Sequence, residues 1–153
     1  MSADARIDEL GLELPAPFPP AGTYVNAVRT GNLLFLAGHI PIDAANNVVF
    51  GKLGAELDVE QGRAAARMAA LSALATLRAE LGTLDRVVQV VSLRGVVNAT
   101  PDFAAHTQVI DSASDVFVEV FGDRGRHARL AVGVGSLPVN LALEIELVVE
   151  TTE

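Results

Sequence analysis

The chain has 153 residues, half of them hydrophobic, and eleven Lys+Arg against nineteen Asp+Glu give a net charge of −8. That length and apolar content suit one domain with a sizeable core and exclude a disordered chain. With no cysteine there is no disulfide, no thiolate nucleophile and no cysteine-based metal site, and the acidic balance counts against a generic nucleic-acid binder, which draws its affinity from cationic contact with phosphates.

Residues 1–10 are acidic and lack the apolar segment of a signal peptide, and no apolar run approaches the ~20 residues of a membrane span. A cytoplasmic protein is therefore expected. The same residues read as a short amphipathic helix carrying Ile7, Leu10 and Leu14, weakened by Gly11. It stops at Pro15-Ala16-Pro17-Phe18-Pro19-Pro20, where fixed φ and missing N–H groups forbid helix and predict an extended arm. Residues 1–20 are read as helix plus arm, and 21–153 as the domain.

Residues 21–29 form the first predicted strand, Thr30-Gly31-Asn32 turns it, and Leu33-Leu34-Phe35-Leu36-Ala37 returns as the second strand of a hairpin. Residues 43–57 are loop-like, with Val48-Val49-Phe50 as a short strand. The strongest helix signal covers 59–81: Asp58 and Gln61 form a capping box, Met68, Leu71, Leu74, Ala75, Leu77 and Leu81 recur at helical spacing, and Gly82 takes the left-handed end. Residues 85–98 are nearly continuously apolar, as in a central strand covered on both faces. Pro101-Asp102-Phe103 opens the next helical region, whose stripe is Ala113, Val116, Phe117, Val120 and Phe121. Gly122-Asp123-Arg124-Gly125 ends it. The order strand, strand, helix, strand, helix, strand, strand predicts an α+β domain, a mixed sheet with two helices on one face. The opposite sheet face then needs a second layer, for which a partner subunit is the simplest cover.

Two further strands, residues 126–134 and 141–149, read as a hairpin around Ser136-Leu137-Pro138-Val139-Asn140. The expected register pairs Leu130 with Leu147, Val132 with Ile145 and Val134 with Leu143, keeping both apolar rows on one core face. The other face would carry Arg129, Ala131, Gly133, Glu144 and Glu146. Such a face is either solvated, with a cross-strand Arg–Glu pair, or an anion-binding cleft in which Arg129 forks a carboxylate. His39, His106 and His127 have no metal-ligand spacing, although His39 and His127 could meet at the cleft. Phosphate loops and nucleophile elbows are lacking.

Ala128-Arg129-Leu130-Ala131-Val132, Leu137-Pro138 and Glu144-Ile145-Glu146 resemble the C-terminal signature of the RidA family (YjgF-type proteins, also called endoribonuclease L-PSP), which reads Ala-Arg-Ser, a β-run, Leu-Pro and Glu-Ile-Glu. Ala21-Gly22-Thr23-Tyr24-Val25 and Gly38-His39-Ile40-Pro41 resemble its first two strands, so the resemblance spans about residues 21 to 150. It implies a chorismate-mutase-like fold, a homotrimer with clefts between subunits, and hydrolysis of enamine/imine intermediates such as 2-aminoacrylate to 2-keto acids and ammonia without cofactor or metal. By position it makes Arg129 the carboxylate clamp and Glu144 the residue that orients water, with Tyr24 and Gly38 in the cleft. Three positions depart from the family. Asp115 stands near a cleft asparagine, Leu130 replaces the serine after the arginine, and Ala131 replaces a frequent cysteine, which leaves a larger and less polar pocket around the substrate.

The resemblance implies an enamine/imine deaminase with a small-molecule carboxylate substrate. One alternative is a non-catalytic trimer that binds small carboxylic acids and regulates a partner. The other is an endoribonuclease or translation inhibitor, against which the charge and the lack of paired histidines argue.

Overall fold

The predicted capping box forms around residue 58: the Asp58 carboxylate accepts from the Gln61 backbone N–H at 2.8 Å, and the Gln61 side chain accepts from the Asp58 N–H at 2.9 Å. Such a cap stabilises a helix by about 1 kcal/mol. The computed structural model describes residues 1–153. Its long helix α2 (Val59–Leu81) ends where predicted, at Gly82 with φ +80°. The buried face of α2 is its alanine face, Ala65, Ala66, Ala69, Ala70 and Ala73, while Met68 and Leu71 sit half-buried at its margin. Small side chains let α2 lie close to its neighbours: a Cβ on Gly62 would stand 2.6 Å from Leu53 and 3.0 Å from Val109.

Helix α1 (Ala3–Glu9) is shorter than its apolar pattern suggests, because Gly11 turns the chain at φ +64°. Ile7 is buried in the core, and Asp4 ties the helix to Arg78 at 3.0 Å and to the Leu84 N–H at 3.1 Å. The first strand is also shorter than predicted. β1 (Ala27–Thr30) and β2 (Leu33–Leu36) pair antiparallel from Ala27↔Leu36 to Thr30↔Leu33, with Gly31 at φ +57° in the turn. Upstream, side chains rather than a ladder hold the arm: Asn26 donates to the Phe18 carbonyl at 2.7 Å, and the Ala21 N–H donates to the Tyr24 hydroxyl at 3.1 Å. Residues 48–50 make only isolated bridges, Ile42↔Val48 and Phe50↔Leu141.

The remaining elements are β3 (Val87–Asn98), α3 (His106–Phe121), β4 (Ala128–Val134) and β5 (Leu143–Thr151). The five strands form one mixed sheet in the order β1-β2-β5-β3-β4. Helix α3 begins at His106 rather than Pro101, since residues 101–105 are turn and coil. The predicted C-terminal hairpin does not form. β4 pairs parallel with β3 (Leu93↔Arg129, Gly95↔Ala131, Val97↔Gly133), and β5 pairs antiparallel with the other side of β3 (Leu93↔Leu147, Val96↔Glu144). The reason is α3. A sixteen-residue helix carries the chain back along β3, so the next strand starts where β3 started and runs parallel to it. The link from Gly135 to Ala142, with Val139 and Asn140 at positive φ, is longer than a tight hairpin and lets β5 enter beyond β3.

This topology reverses the expected faces of β4. Leu143, Ile145, Leu147 and Val149 face the helices, as predicted, together with Leu93 and Val97. On β4, Arg129, Ala131 and Gly133 take that side, and Leu130 is 50% exposed on the open face beside Arg94. Val28 and Phe35 add exposed apolar surface to the open face.

A Cβ on Gly125 would collide with the Phe117 carbonyl in the backbone of α3, which cannot give way as a side chain can. Gly125→Ala is expected to destabilise the fold by about 3 kcal/mol. Denaturant unfolding should show a lower midpoint with an unchanged slope.

Candidate functional site: two half-sites on opposite faces of the sheet

The first half-site lies where the end of β2 meets β5. The His39 N–H donates to the Ile145 carbonyl at 2.7 Å, and the Ile145 N–H returns to the His39 carbonyl at 3.0 Å. This bridge lays Gly38 against Glu144, so closely that a Cβ on Gly38 would stand 3.0 Å from Glu144 Oε2. With no side chain at residue 38, the carboxylate keeps its room. Glu144 is half-buried, and burial pushes its carboxyl above the usual glutamate range. Tyr24, Gly38 and Glu144 line one cavity of 780 Å³. On the other side of Gly38 and Glu144 is a small polar pocket with Arg94 and Glu146, which pair at 3.2 Å. Arg94 is thus the arginine that shares a pocket with Glu144, a residue the sequence analysis did not single out. Its place follows from period-2 alternation along β3 once the Val96↔Glu144 register is known.

His39 is 5% exposed and fully used. Its Nδ1 lies 2.7 Å from the Ala37 carbonyl, so that nitrogen carries the proton, and its Nε2 accepts from the Thr76 hydroxyl at 2.7 Å. Burial lowers its basicity below the ordinary imidazole value. It is a neutral strut that fastens the Gly38 segment to α2, and it does not meet His127.

The second half-site lies between β4 and α3. Arg129 donates to Asp111 at 2.7 Å, to the Ser114 hydroxyl at 3.1 Å and to the Thr107 carbonyl at 3.5 Å. His127 lies alongside, its Nδ1 2.6 Å from the Gly125 carbonyl and its Nε2 2.9 Å from Ser114 Oγ. Burial, and then the Arg129 charge, lower its basicity against the pull of the Gly125 carbonyl. The hydrogen bonds run one way, from Arg129 to Ser114 to His127 to the Gly125 carbonyl. Ala131 shares this side of β4 and packs against the core. Asp115 does not join the arginine. It lies one helical turn on, mostly exposed, 4.0 Å from Arg63, and Asp111 holds the acidic position instead. Asp111 and Ser114 stand three residues apart, a spacing that puts both on one helix face, but which strand that face meets is not a local property.

Of the anticipated site residues, the fold gathers Tyr24, Gly38 and Glu144 at one place and Arg129 and Ala131 at another. Glu144 is on the open face and Arg129 on the helix face, so the sheet separates them within one protomer.

The Glu144 carboxyl binds its proton more tightly in the folded state, so its ionisation opposes folding above the raised value and ceases to matter below the unfolded one. Glu144→Gln is expected to be more stable than the wild type at about pH 8. The gap should close as pH falls through the ordinary glutamate range near about 4. Thermal unfolding against pH checks this.

A family model described as "YjgF/chorismate_mutase-like, putative endoribonuclease" matches residues 4–151. Protein TCP17 of Trypanosoma cruzi is 44% identical over 147 residues, which cover 95% of this chain and 92% of that protein. The crystal structure of Atu1372 from Agrobacterium tumefaciens, a protein of unknown function, superposes with a TM-score of 0.89 at 38% identity, covering 98% of this chain and 94% of its own. A Shewanella oneidensis protein described as a "putative endoribonuclease" gives a TM-score of 0.94 at 33% identity, covering 98% of this chain and 99% of its own. The resemblance seen around Arg129 and Glu144 therefore extends over nearly the whole chain, fold included, and the chain belongs to the YjgF/RidA family, with its chorismate-mutase-like fold.

Proposed function

We propose that the protein hydrolyses 2-imino or enamino acids to 2-keto acids and ammonia at a site completed between subunits, with Tyr24, Gly38 and Glu144 from one copy and Arg129 from the next. One observation carries the assembly. The two half-sites lie on opposite faces of one sheet, so a second copy is what can bring Arg129 to Glu144. The open face supports it with Val28, Phe35 and Leu130, apolar side chains that a partner would cover. Family resemblance makes the assembly a trimer.

An imine carbon is already electrophilic, so the work is positioning and proton transfer. Arg129 clamps the carboxylate. Glu144 takes a proton from water as the water oxygen bonds to the imine carbon and returns it to the imine nitrogen, giving a carbinolamine; it then takes the carbinol hydroxyl proton and passes it to the nitrogen, so that the carbonyl forms as the carbon–nitrogen bond breaks and ammonia leaves. The half-buried carboxyl suits both acts, because its raised proton affinity makes it a better base than a solvated glutamate.

A second reading has a specific observation behind it. Arg129 already holds Asp111, Ser114 and the Thr107 carbonyl, which suits a structural arginine in a trimer that binds small carboxylic acids at Arg94 without turnover. The endoribonuclease activity named for relatives is disfavoured by the charge of −8.

The test follows the decay of 2-imino acids generated in situ by an amino-acid oxidase. The wild type should accelerate it, and Arg129→Ala should lose about 10²-fold in kcat/KM, as for a charged hydrogen bond. Light scattering should give three times the monomer mass for both. Absence of acceleration sinks the deaminase, and a monomeric mass sinks the shared site.

A further inference from the structure

A cleft of 540 Å³ opens beyond the carboxyl ends of β3 and β4. These strands are the parallel pair of the sheet, joined through α3. Where parallel strands end and their loops part, α/β sheets keep their ligand crevices. The cleft shares no residue with the cavity beside Glu144. Gly133 in its wall lies four residues along β4 from Arg129, roughly 13 Å at about 3.3 Å per residue.

Lys52 is the single lysine of the chain, and it lines this cleft. Its loop is fixed to the end of β3: the Leu53 N–H donates to the Asn98 carbonyl at 2.8 Å, and the Leu53 carbonyl accepts from the Thr100 N–H at 3.0 Å. Lys52 Nζ donates to Asn98 Oδ1 and to the Gly135 carbonyl, each at 2.7 Å. Both acceptors are neutral. The ion pairs of the chain all belong to arginines, and Glu56 takes the backbone N–H of Lys52 at 3.0 Å rather than its ammonium. One ammonium hydrogen is left over. A neutral amide could make the same two bonds without the cost of holding a partly buried charge unpaired. His106 is the second group without a partner. His39 and His127 have both ring nitrogens engaged, whereas the His106 ring makes no hydrogen bond. It stands edge-on to Phe103 with centroids 5.1 Å apart, and its Nε2 lies over Gly133, where a Cβ would come within 2.5 Å. Ala99, Pro101, Phe103 and Val134 supply apolar wall, and no carboxylate lines the cleft.

We propose that this cleft binds a small phosphomonoester, with Lys52 and His106 holding the phosphate and Pro101 and Phe103 receiving an apolar body. A compact ammonium and an imidazole suit the tetrahedral oxygens of a phosphate, whereas a planar carboxylate is the group that an arginine forks. The volume lies in the range of small-molecule sites. The site stands apart from the function proposed above, and no result on imine turnover bears on it.

The three histidines mark three places: His39 the cavity beside Glu144, His127 the Arg129 half-site, and His106 this cleft. The probes are phenyl phosphate, inorganic phosphate and benzoate. Each is titrated into the full chain by calorimetry and by proton NMR of the imidazole signals, assigned from a glutamine variant of each histidine. Phenyl phosphate should bind, shift the His106 signals and leave those of His39 and His127 in place. Its ring should favour it over inorganic phosphate by about 10-fold, and benzoate should bind weaker than phenyl phosphate by about as much. Lys52→Gln keeps an amide to donate to Asn98 and the Gly135 carbonyl but removes the charge. It should weaken phenyl phosphate by roughly 10- to 100-fold, as for a charged hydrogen bond. The His106 shift is read on the wild type, so the test stands whatever the substitution does to the fold. The proposal is overturned if phenyl phosphate does not bind, if it moves His39 or His127 in place of His106, if a folded Lys52→Gln binds it as the wild type does, or if benzoate matches it at His106.

Discussion

Helix α3 decides which way β4 faces, and much of the site's geometry follows. Because the helix returns the chain along β3, β4 lies parallel to it, and pairing Leu93 with Arg129 turns Arg129, Ala131 and Gly133 toward the helices. Two glycines make room there. A Cβ on Gly95 would meet Ile110 at 2.7 Å, and one on Gly133 would crowd the His106 ring. β5 has little freedom on the other side of β3. Its buried row of Leu143, Ile145, Leu147 and Val149 is worth about 1.5–3 kcal/mol per side chain, which commits Glu144 and Glu146 to the open face.

The polar chemistry is consequently divided, and the two halves are built differently. Arg129 is a satisfied cation, with partners along α3 and a one-way chain of hydrogen bonds running on to His127. Glu144 is a half-buried carboxyl with raised proton affinity, kept beside a glycine on a rigid backbone bridge. A group held against its own ionisation in a cleft is the kind found at functional sites. His39 is the contrasting case: a deeply buried histidine with both nitrogens paired, whose work is to hold the Gly38 segment in place. The cavity beyond it joins a polar end to an apolar body.

The legible parts of the fold were those with local causes. The capping box at Asp58 and Gln61, the left-handed end at Gly82 and the hairpin turn at Gly31 each arise within a few residues, and all stand where the pattern put them. The Gly38 and Glu144 positions were legible through a motif. The neighbours of Arg129 were not. Asp111 and Asp115 stand one turn apart on α3, and local spacing cannot say which will meet a strand that begins only at Ala128. Arg94 was hidden for the same reason, since its partners Glu146 and Glu144 lie across a register set by β5.

By itself the sequence determined the strand and helix succession, an apolar row on the helices and the C-terminal strands, and the placing of an arginine and two glutamates on C-terminal strands, because periodicity and capping act over one or two turns. Period-2 alternation also determined that Arg129, Ala131 and Gly133 share a side. Only the tertiary structure decided which side that was. An alternating strand offers two faces of comparable plausibility, and the choice depends on whether its neighbour runs parallel or antiparallel, which the length and path of the intervening helix settle. That choice parted Arg129 from Glu144.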